Sequence, residues 1–303
     1  MTKNALDLCR PVRTSTHRDY PLARILAAKG TTTVSVCLPA RNEESTIGEI
    51  VTMLRRELLS TGAIDELVVM DDQSDDATAR IAKEAGARVE DSGSVLPEHG
   101  LSHGKGSALW KSLYVTEGDL VIWCDSDITE FGSRLVRGIL GALICEDHVD
   151  FAKGFYERPE REREGGGRVT ELVARPLLSL FHPQLALLAQ PLSGEYGGRR
   201  EVLETLPFTG GYGVEIGLLI DYVTRFGIDG LIQVDLDVRH HRNRTLTDLG
   251  PQALAIMQAV LRREDPGLVS DMSILMKPDT SPVVMAANDH PPMIDVPGYR
   301  NRP

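Results

Sequence analysis

The stretch that decides the fold is TVSVCLPARNEESTIGEIVTMLRREL, residues 33–58. Its opening, Thr33 to Pro39, is a β-branched apolar run closed by proline, which reads as a buried strand. Beyond a polar loop, Ile47, Ile50, Val51, Leu54 and Leu58 recur at helical spacing, so an amphipathic helix follows. Outward from this unit the pattern repeats. DELVVM (65–70) and DDQSDDATARIAKEAGA (71–87) read as strand then helix, and RVE (88–90) as a short strand. KGSALWKSLYVTEG (105–118) reads as a helix, and DLVIWC (119–124) as a strand running into Asp125-Ser126-Asp127. Parallel strands need crossover connections, so this alternation predicts an α/β fold with a mostly parallel sheet and helices on both faces.

The flanking segments are less regular. Residues 1–32 form a weakly patterned N-terminal segment with a short helix predicted from Leu22 to Lys29. After Asp127 come a predicted helix, a strand around Val149 to Tyr156 and the charged run RPEREREGGGR (158–168), whose Arg/Glu part reads as a solvated loop. From Val169 the chain reads as a helix that Pro176 interrupts, and SGEYGG (193–198) as a tight turn region. GVEIGLLIDYVTRFG (213–227) reads as a buried helix ended by Gly227, and LIQVDLDVRHHRNR (231–244) as a strand running into a cationic loop. Residues 266–303 are Pro-rich and read as a tail.

Charge narrows the partners. Lys plus Arg number 33 against 44 Asp plus Glu, a formal net charge of -11, which argues against capture of nucleic acid or an anionic membrane. An anionic substrate then needs a local basic patch or a metal. The four cysteines, Cys9, Cys37, Cys124 and Cys145, show neither CxxC pairs nor zinc-ligand spacing, so a reducing cytoplasm is expected. No apolar signal stretch follows Met1, and the most apolar run, Pro176 to Leu192, is broken by His182, Pro183, Gln184 and Gln190.

In open α/β sheets ligands sit beyond the carboxyl ends of the strands. Three such ends carry polar clusters: Pro39-Ala40-Arg41-Asn42-Glu43, Asp71-Asp72 and Asp125-Ser126-Asp127. Alone, a D-x-D is weak in so acidic a chain; directly after VIWC it points to chemistry. There Asp127 can ligate a divalent cation while Asp125 accepts hydrogen bonds from a ribose or metal-bound water. Asp72 can accept from ribose or base, while Ser74, Asp75 and Asp76 serve as helix caps. Gly104-Lys105-Gly106-Ser107 is no Walker A loop, because His99 occupies the first glycine position, yet Lys105 at a helix start can touch a diphosphate.

Gly165-Gly166-Gly167-Arg168-Val169-Thr170 is a candidate phosphate or carboxylate nest, weighed against a plain hinge. After the last strand stand Arg239, His240, His241, Arg242, Asn243 and Arg244; one histidine can complete the metal site, and alternation lets only one of His240 and His241 face the crevice. Glu215, within an apolar run, either forms a core ion pair or orients a substrate hydroxyl.

Together PARNEE, DDQS, GKGSALW, DSD, GGGRVTELVARPLL, PLSGEY, GYGVEIGLLID and VRHHRNR, in this order from about Val34 to about Leu249, resemble the glucosyl-3-phosphoglycerate synthases, retaining GT-A glycosyltransferases of family 81. GGGRVTELVARP and GYGVEIGLL are specific to that group; the other strings are shared more widely. The resemblance implies a GT-A fold with a nucleotide-sugar-binding lobe over 33–130, an acceptor-binding lobe over 131–265 and a tail over 266–303. It implies transfer of glucose from UDP-glucose to the 2-hydroxyl of 3-phosphoglycerate with retention, a divalent metal (Mg²⁺ or Mn²⁺), and a homodimer. The product class feeds methylglucose lipopolysaccharide synthesis in actinobacteria.

By the same resemblance, Pro39, Ala40, Asn42, Glu43 and Asp72 are nucleoside contacts, and Lys105 meets the donor diphosphate. Asp125, Ser126 and Arg239 complete the donor side, with Asp127 and His241 as metal ligands. Gly167, Arg168 and Thr170 form the acceptor cradle with Asn243 assisting. Leu192, Gly194, Glu195, Tyr212 and Glu215 wall the sugar pocket, and Glu215, Thr170 and Leu192 stand at the reaction centre. The chain departs from the group's pattern at Arg41 and Asp72-Gln73. Three other readings compete: a mannosyl-3-phosphoglycerate synthase using GDP-mannose, a nucleotidyltransferase, which would need a glycine-rich GxGxR-type loop before the first helix, and a non-catalytic nucleotide-sugar-binding protein.

Overall fold

The computed structural model describes residues 11–100, 104–157, 167–239, 246–270, 272–276, 278, 281–286 and 288–301. His241, Asn243, Gly165, Gly166 and the Arg/Glu run lie outside the described residues. The strands are β1 (Arg13–Thr16), β2 (Val34–Ala40), β3 (Glu66–Asp71), β4 (Arg88–Asp91), β5 (Leu120–Trp123), β6 (Phe151–Glu157), β7 (Tyr196–Arg199), β8 (Phe208–Thr209) and β9 (Leu231–Val238). All but β8 form one sheet, in the order β1-β9-β6-β7-β5-β2-β3-β4. β7 is antiparallel to both β5 and β6 while the other pairs are parallel, so the sheet is mixed, as in a GT-A fold.

The helices are α1 (Leu22–Lys29), α2 (Ile47–Leu54), α3 (Thr78–Ala85), α4 (Lys105–Val115), α5 (Arg134–Cys145), α6 (Arg175–Phe181), α7 (Arg200–Leu203), α8 (Val214–Phe226) and α9 (Leu246–Glu264). Two apolar cores lie on opposite faces of the sheet. β3 shows the split: Val68 and Met70 join the core of α4, α8 and α9, and Leu67 and Val69 join that of α1, α2 and α5, as two-residue alternation requires. The α2 stripe buries Ile47, Ile50, Val51 and Leu54, and a wider π turn, Arg55–Leu59, continues it to Leu58. The sheet runs without a break across residue 130, the expected boundary between lobes. No helix of the described residues is long and apolar enough to cross a membrane.

Four sequence expectations are corrected. The segment before residue 33 contributes an edge strand, β1, parallel to β9. Pro176 does not end the helix: helical backbone runs from residue 168 to Phe181, with a π turn, Thr170–Ala174, immediately before α6 and Pro176 in the first turn of α6. The expected turn at 193–198 leads into β7. There glycines are required because a Cβ on Gly197 would approach the Val121 carbonyl oxygen to 2.5 Å, and one on Gly198 the Asp150 oxygen to 2.7 Å.

The expected tail folds back onto the core. β10 (Met272–Leu275) and β11 (Val283–Ala286) form a hairpin, and β12 (Asp289–His290) pairs antiparallel with β8. Met293, Val296 and Tyr299, each at most 4% exposed, enter the α4/α8 core. Truncation after Leu268 is therefore expected to destabilise the protein by at least about 4 kcal/mol, at about 1.5–3 kcal/mol per buried large side chain. Urea unfolding reads this directly, and an unchanged midpoint would contradict the docking.

Candidate active site

The carboxyl ends of β2, β3, β5 and β9 open into a cleft of about 1050 Å³. Pro39, Ala40 and Arg41 line it at the end of β2. Asn42 follows in a left-handed conformation, φ 58°, which asparagine tolerates. Its N–H donates to Ser74 Oγ at 3.0 Å and its Oδ1 accepts from the Asp75 N–H at 2.8 Å. Asn42 thus ties two loops together and is absent from the cleft lining.

Asp72 lines the cleft but is nearly buried. Its carboxylate accepts from the Gly104 N–H at 2.8 Å and from Ser92 Oγ at 3.0 Å, fixing the entry to α4, with Arg41 Nη1 3.9 Å away. The glycines around Lys105 are spatially required: a Cβ on Gly106 would lie 1.9 Å from the Thr209 carbonyl oxygen, and Gly104 has φ 123°. That close approach of α4 to β8 carries Lys105 between Asp125 and Glu215.

A ladder of alternating charge results. Lys105 Nζ lies 2.5 Å from Asp125 Oδ1 and 2.6 Å from Glu215 Oε1. Arg239, 5% exposed, reaches Asp125 Oδ2 at 3.3 Å, Asp127 Oδ1 at 3.0 Å and Glu195 Oε1 at 2.8 Å, and donates to Tyr156 Oη at 2.6 Å. Burial alone would raise the Asp125 carboxyl, but Lys105 and Arg239 hold it well below the usual carboxylate range. Glu195, wholly buried, is raised by desolvation despite Arg239. It stands behind the cleft wall as the anchor of Arg239, not in the wall itself as the sequence reading had it.

The ladder leaves carboxylates in excess. Glu43 is pushed up to about 7 by burial and by the nearby carboxylates of Asp127 and Asp125. A divalent cation would relieve that surplus, and carboxylate oxygens suit a hard one, so the residues fit the expected metal at Asp127. Among the described residues no group of three or more His, Cys, Asp and Glu is arranged as a full ligand set, and His241 lies outside them.

Gly167, Arg168 and Thr170 line the same cleft, together with Leu192, Gly194, Tyr212, Glu215 and Ser126. Gly194 cannot carry a side chain, since a Cβ would fall 2.1 Å from Asp125 Oδ2. Sequence reasoning missed Tyr156, His99, Asn288 and His290, all lining residues. His290 stacks on Trp110 with centroids 4.4 Å apart and shares a 2.8 Å hydrogen bond with Ser107 Oγ. Burial, with Lys111 and His99 nearby, pushes its pKa down to about 4. It arrives from a segment without chemical pattern, so no local signal marked it.

A mixed α/β sheet whose strand ends present a D-x-D carboxylate pair to one large cleft defines a GT-A glycosyltransferase. The profile of Glycosyl transferase family 2 matches residues 35–181. Glucosyl-3-phosphoglycerate synthase of Mycolicibacterium smegmatis is 44% identical over 284 residues, covering 90% of this chain and 93% of the relative. The crystal structure of glucosyl-3-phosphoglycerate synthase from Mycobacterium tuberculosis with Mn²⁺, UDP-glucose and phosphoglyceric acid superposes with a TM-score of 0.85 at 42% identity, covering 94% of this chain and 98% of that one. Mannosyl-3-phosphoglycerate synthase from Rubrobacter xylanophilus gives a TM-score of 0.83 at 36% identity, covering 93% of this chain and 94% of that one. The chain belongs to the glucosyl-3-phosphoglycerate synthases.

Proposed function

We propose that the protein transfers glucose from UDP-glucose to the 2-hydroxyl of 3-phosphoglycerate with retention, giving glucosyl-3-phosphoglycerate and UDP. The observation that carries this reading is the single cleft in which Lys105, Asp127 and Glu215 share space with Arg168 and Thr170. Two anions can lie there side by side in a protein of net charge -11 only because cations are set locally. The bound divalent ion, Mn²⁺ or Mg²⁺, supplies charge neutralisation of the departing diphosphate; Asp127 and His241 would hold it.

The chain's own residues do the positioning. Pro39, Ala40, Glu43 and Asp72 shape the nucleoside end, and Lys105 places its ammonium where the diphosphate lies. Glu215, held by Lys105 at 2.6 Å, faces the sugar hydroxyls, and Leu192, Gly194 and Tyr212 confine the ring. Gly167, Arg168 and Thr170, with Asn243, receive the phosphorylated acceptor. No carboxylate is assigned as a covalent nucleophile, so the acceptor hydroxyl attacks from the face the diphosphate leaves. The sugar–phosphate bond breaks, the new glycosidic bond forms, and the hydroxyl proton departs on the released diphosphate.

Arg168→Ala is expected to raise KM for 3-phosphoglycerate by roughly 10- to 150-fold, a charge-assisted contact of about 1.5–3 kcal/mol, with KM for the donor nearly unchanged. Equal effects on both substrates would contradict the placement. The function itself is tested by incubating the protein with 3-phosphoglycerate, Mn²⁺ and a panel of nucleotide sugars. UDP-glucose should be consumed with release of UDP; preference for GDP-mannose, release of pyrophosphate, or binding without turnover would each overturn the assignment.

The reading includes a homodimer in the cytoplasm. Leu180 of α6 is 74% exposed, and Ile274, Met276 and Val284 in or beside the β10–β11 hairpin are 54%, 69% and 59% exposed, apolar side chains that a partner subunit would cover. Light scattering at twice the 33.2 kDa chain mass is the expected result, and the chain mass alone would contradict it. Free, buried Cys37 and Cys124 suit a reducing compartment.

A further inference from the structure

Beneath the cleft lies a buried cation that the reaction as described does not use. Lys153, on β6, is 1% exposed. Among the described residues its Nζ donates to the Ser193 carbonyl at 2.6 Å and lies 4.1 Å from the centroid of the Tyr196 ring, in place of an ion pair. Burial pushes its pKa down to about 7. A lysine so placed is costly for folding: among the described residues no counter-ion touches it, and burial strips water from its ammonium and favours the neutral amine. Charges facing it come from four other elements: Glu215 on α8, Lys105 on α4, and Glu195 and Asp125 beside the ends of β7 and β5.

What Lys153 grips is the connection that walls the sugar pocket. Leu192 and Gly194 of that connection line the cleft, and Gly194 is packed directly against the Asp125 carboxylate. Ser193 Oγ donates to the Gly154 carbonyl, and the Gly154 N–H donates to the Glu195 carbonyl at 2.7 Å. Lys153 adds the third tie, and its long side chain reaches from β6 to the carbonyl midway between Leu192 and Gly194. We propose that Lys153 is a positioning residue that clamps the Leu192–Glu195 connection on β6, so that Leu192 and Gly194 hold the sugar in line for transfer.

This inference rests on the transferase reading, so wild type is assayed beside each variant. Misplacement of a reacting sugar by about an ångström costs on the order of 100-fold in rate. Lys153→Met keeps the chain length and removes the donor; Lys153→Gln keeps an N–H donor on a shorter arm. The expected result is a fall in kcat of roughly 10- to 100-fold for Lys153→Met and a smaller fall for Lys153→Gln, with KM for 3-phosphoglycerate and the Kd of UDP within about threefold of wild type. Two outcomes overturn the proposal: kcat unchanged in a folded Lys153→Met, or loss of UDP affinity in step with kcat, which would mark a general structural role. Failure of both variants to fold would overturn it in the same way. An inactive wild type would instead refute the transferase reading and leave the clamp without an object.

Discussion

Arg239→Met is expected to destabilise the protein by about 3–5 kcal/mol and to remove activity. Removing one member of a buried ionic network leaves the remaining charges uncompensated in a poorly hydrated setting, and that penalty exceeds what the network contributed. Here three carboxylates, Asp125, Asp127 and Glu195, lie within 3.3 Å of one guanidinium, and Glu195 is fully buried. Protonation of Glu195 would absorb part of the penalty, since its carboxyl is already raised, so the variant should regain some stability as pH falls below neutral. Urea unfolding at two pH values measures both effects. A variant as stable as wild type at neutral pH would mean that the ladder is not what holds the strand ends together.

Asp127→Ala should behave in the opposite way, leaving the fold intact and removing catalysis. The Asp127 side chain is 49% exposed and stands at the cleft surface, where Arg239 also loses only its most solvated partner. The loss in metal-dependent turnover is expected to be on the order of 100-fold or more, the range seen when a metal ligand or its immediate support is lost. Titrating Mn²⁺ against turnover separates the causes: a shifted metal dependence supports the ligand role, and an unchanged one rules it out. The pair of variants thus divides the ladder into a structural half around Glu195 and a chemical half around Asp127.

Much of this was legible in the sequence because it is local. A buried strand followed by a polar cluster, three times over, sets β2, β3 and β5 side by side and places Asp72, Asp125 and Asp127 at one edge, by the same alternation that makes the sheet. What could not be read is what depends on chain-distant contact. β7 looks like a turn because its two glycines are there for backbone carbonyls of Val121 and Asp150, which no local pattern reports. β1, only four residues long and half exposed, has no apolar period. His290 comes to the cleft from a Pro-rich segment by pairing with two residues of β8.

The side chains assigned to the site divide in the same physical way. At the strand ends Pro39, Ala40, Asp72, Asp125 and Asp127 line the cleft, whereas Asn42, exposed, turns to the neighbouring loop and Glu195 is buried behind the wall. Both are held by neighbours that folding supplies: Asn42 Oδ1 by the Asp75 N–H and Glu195 Oε1 by Arg239, 44 positions away in the chain. Polarity at a strand end signals a site; whether a given side chain meets ligand or holds its neighbour depends on the chain-distant partners that folding brings to it, which the sequence does not state.

The measurement that bears most directly on this account is the NMR spectrum of the product formed from UDP-glucose labelled with ¹³C at the anomeric carbon, mixed with 3-phosphoglycerate and Mn²⁺. The account predicts a single labelled glucoside with the α configuration, linked to the 2-oxygen of glycerate. A β-linked product, or labelled free glucose with 3-phosphoglycerate unconsumed, would contradict it.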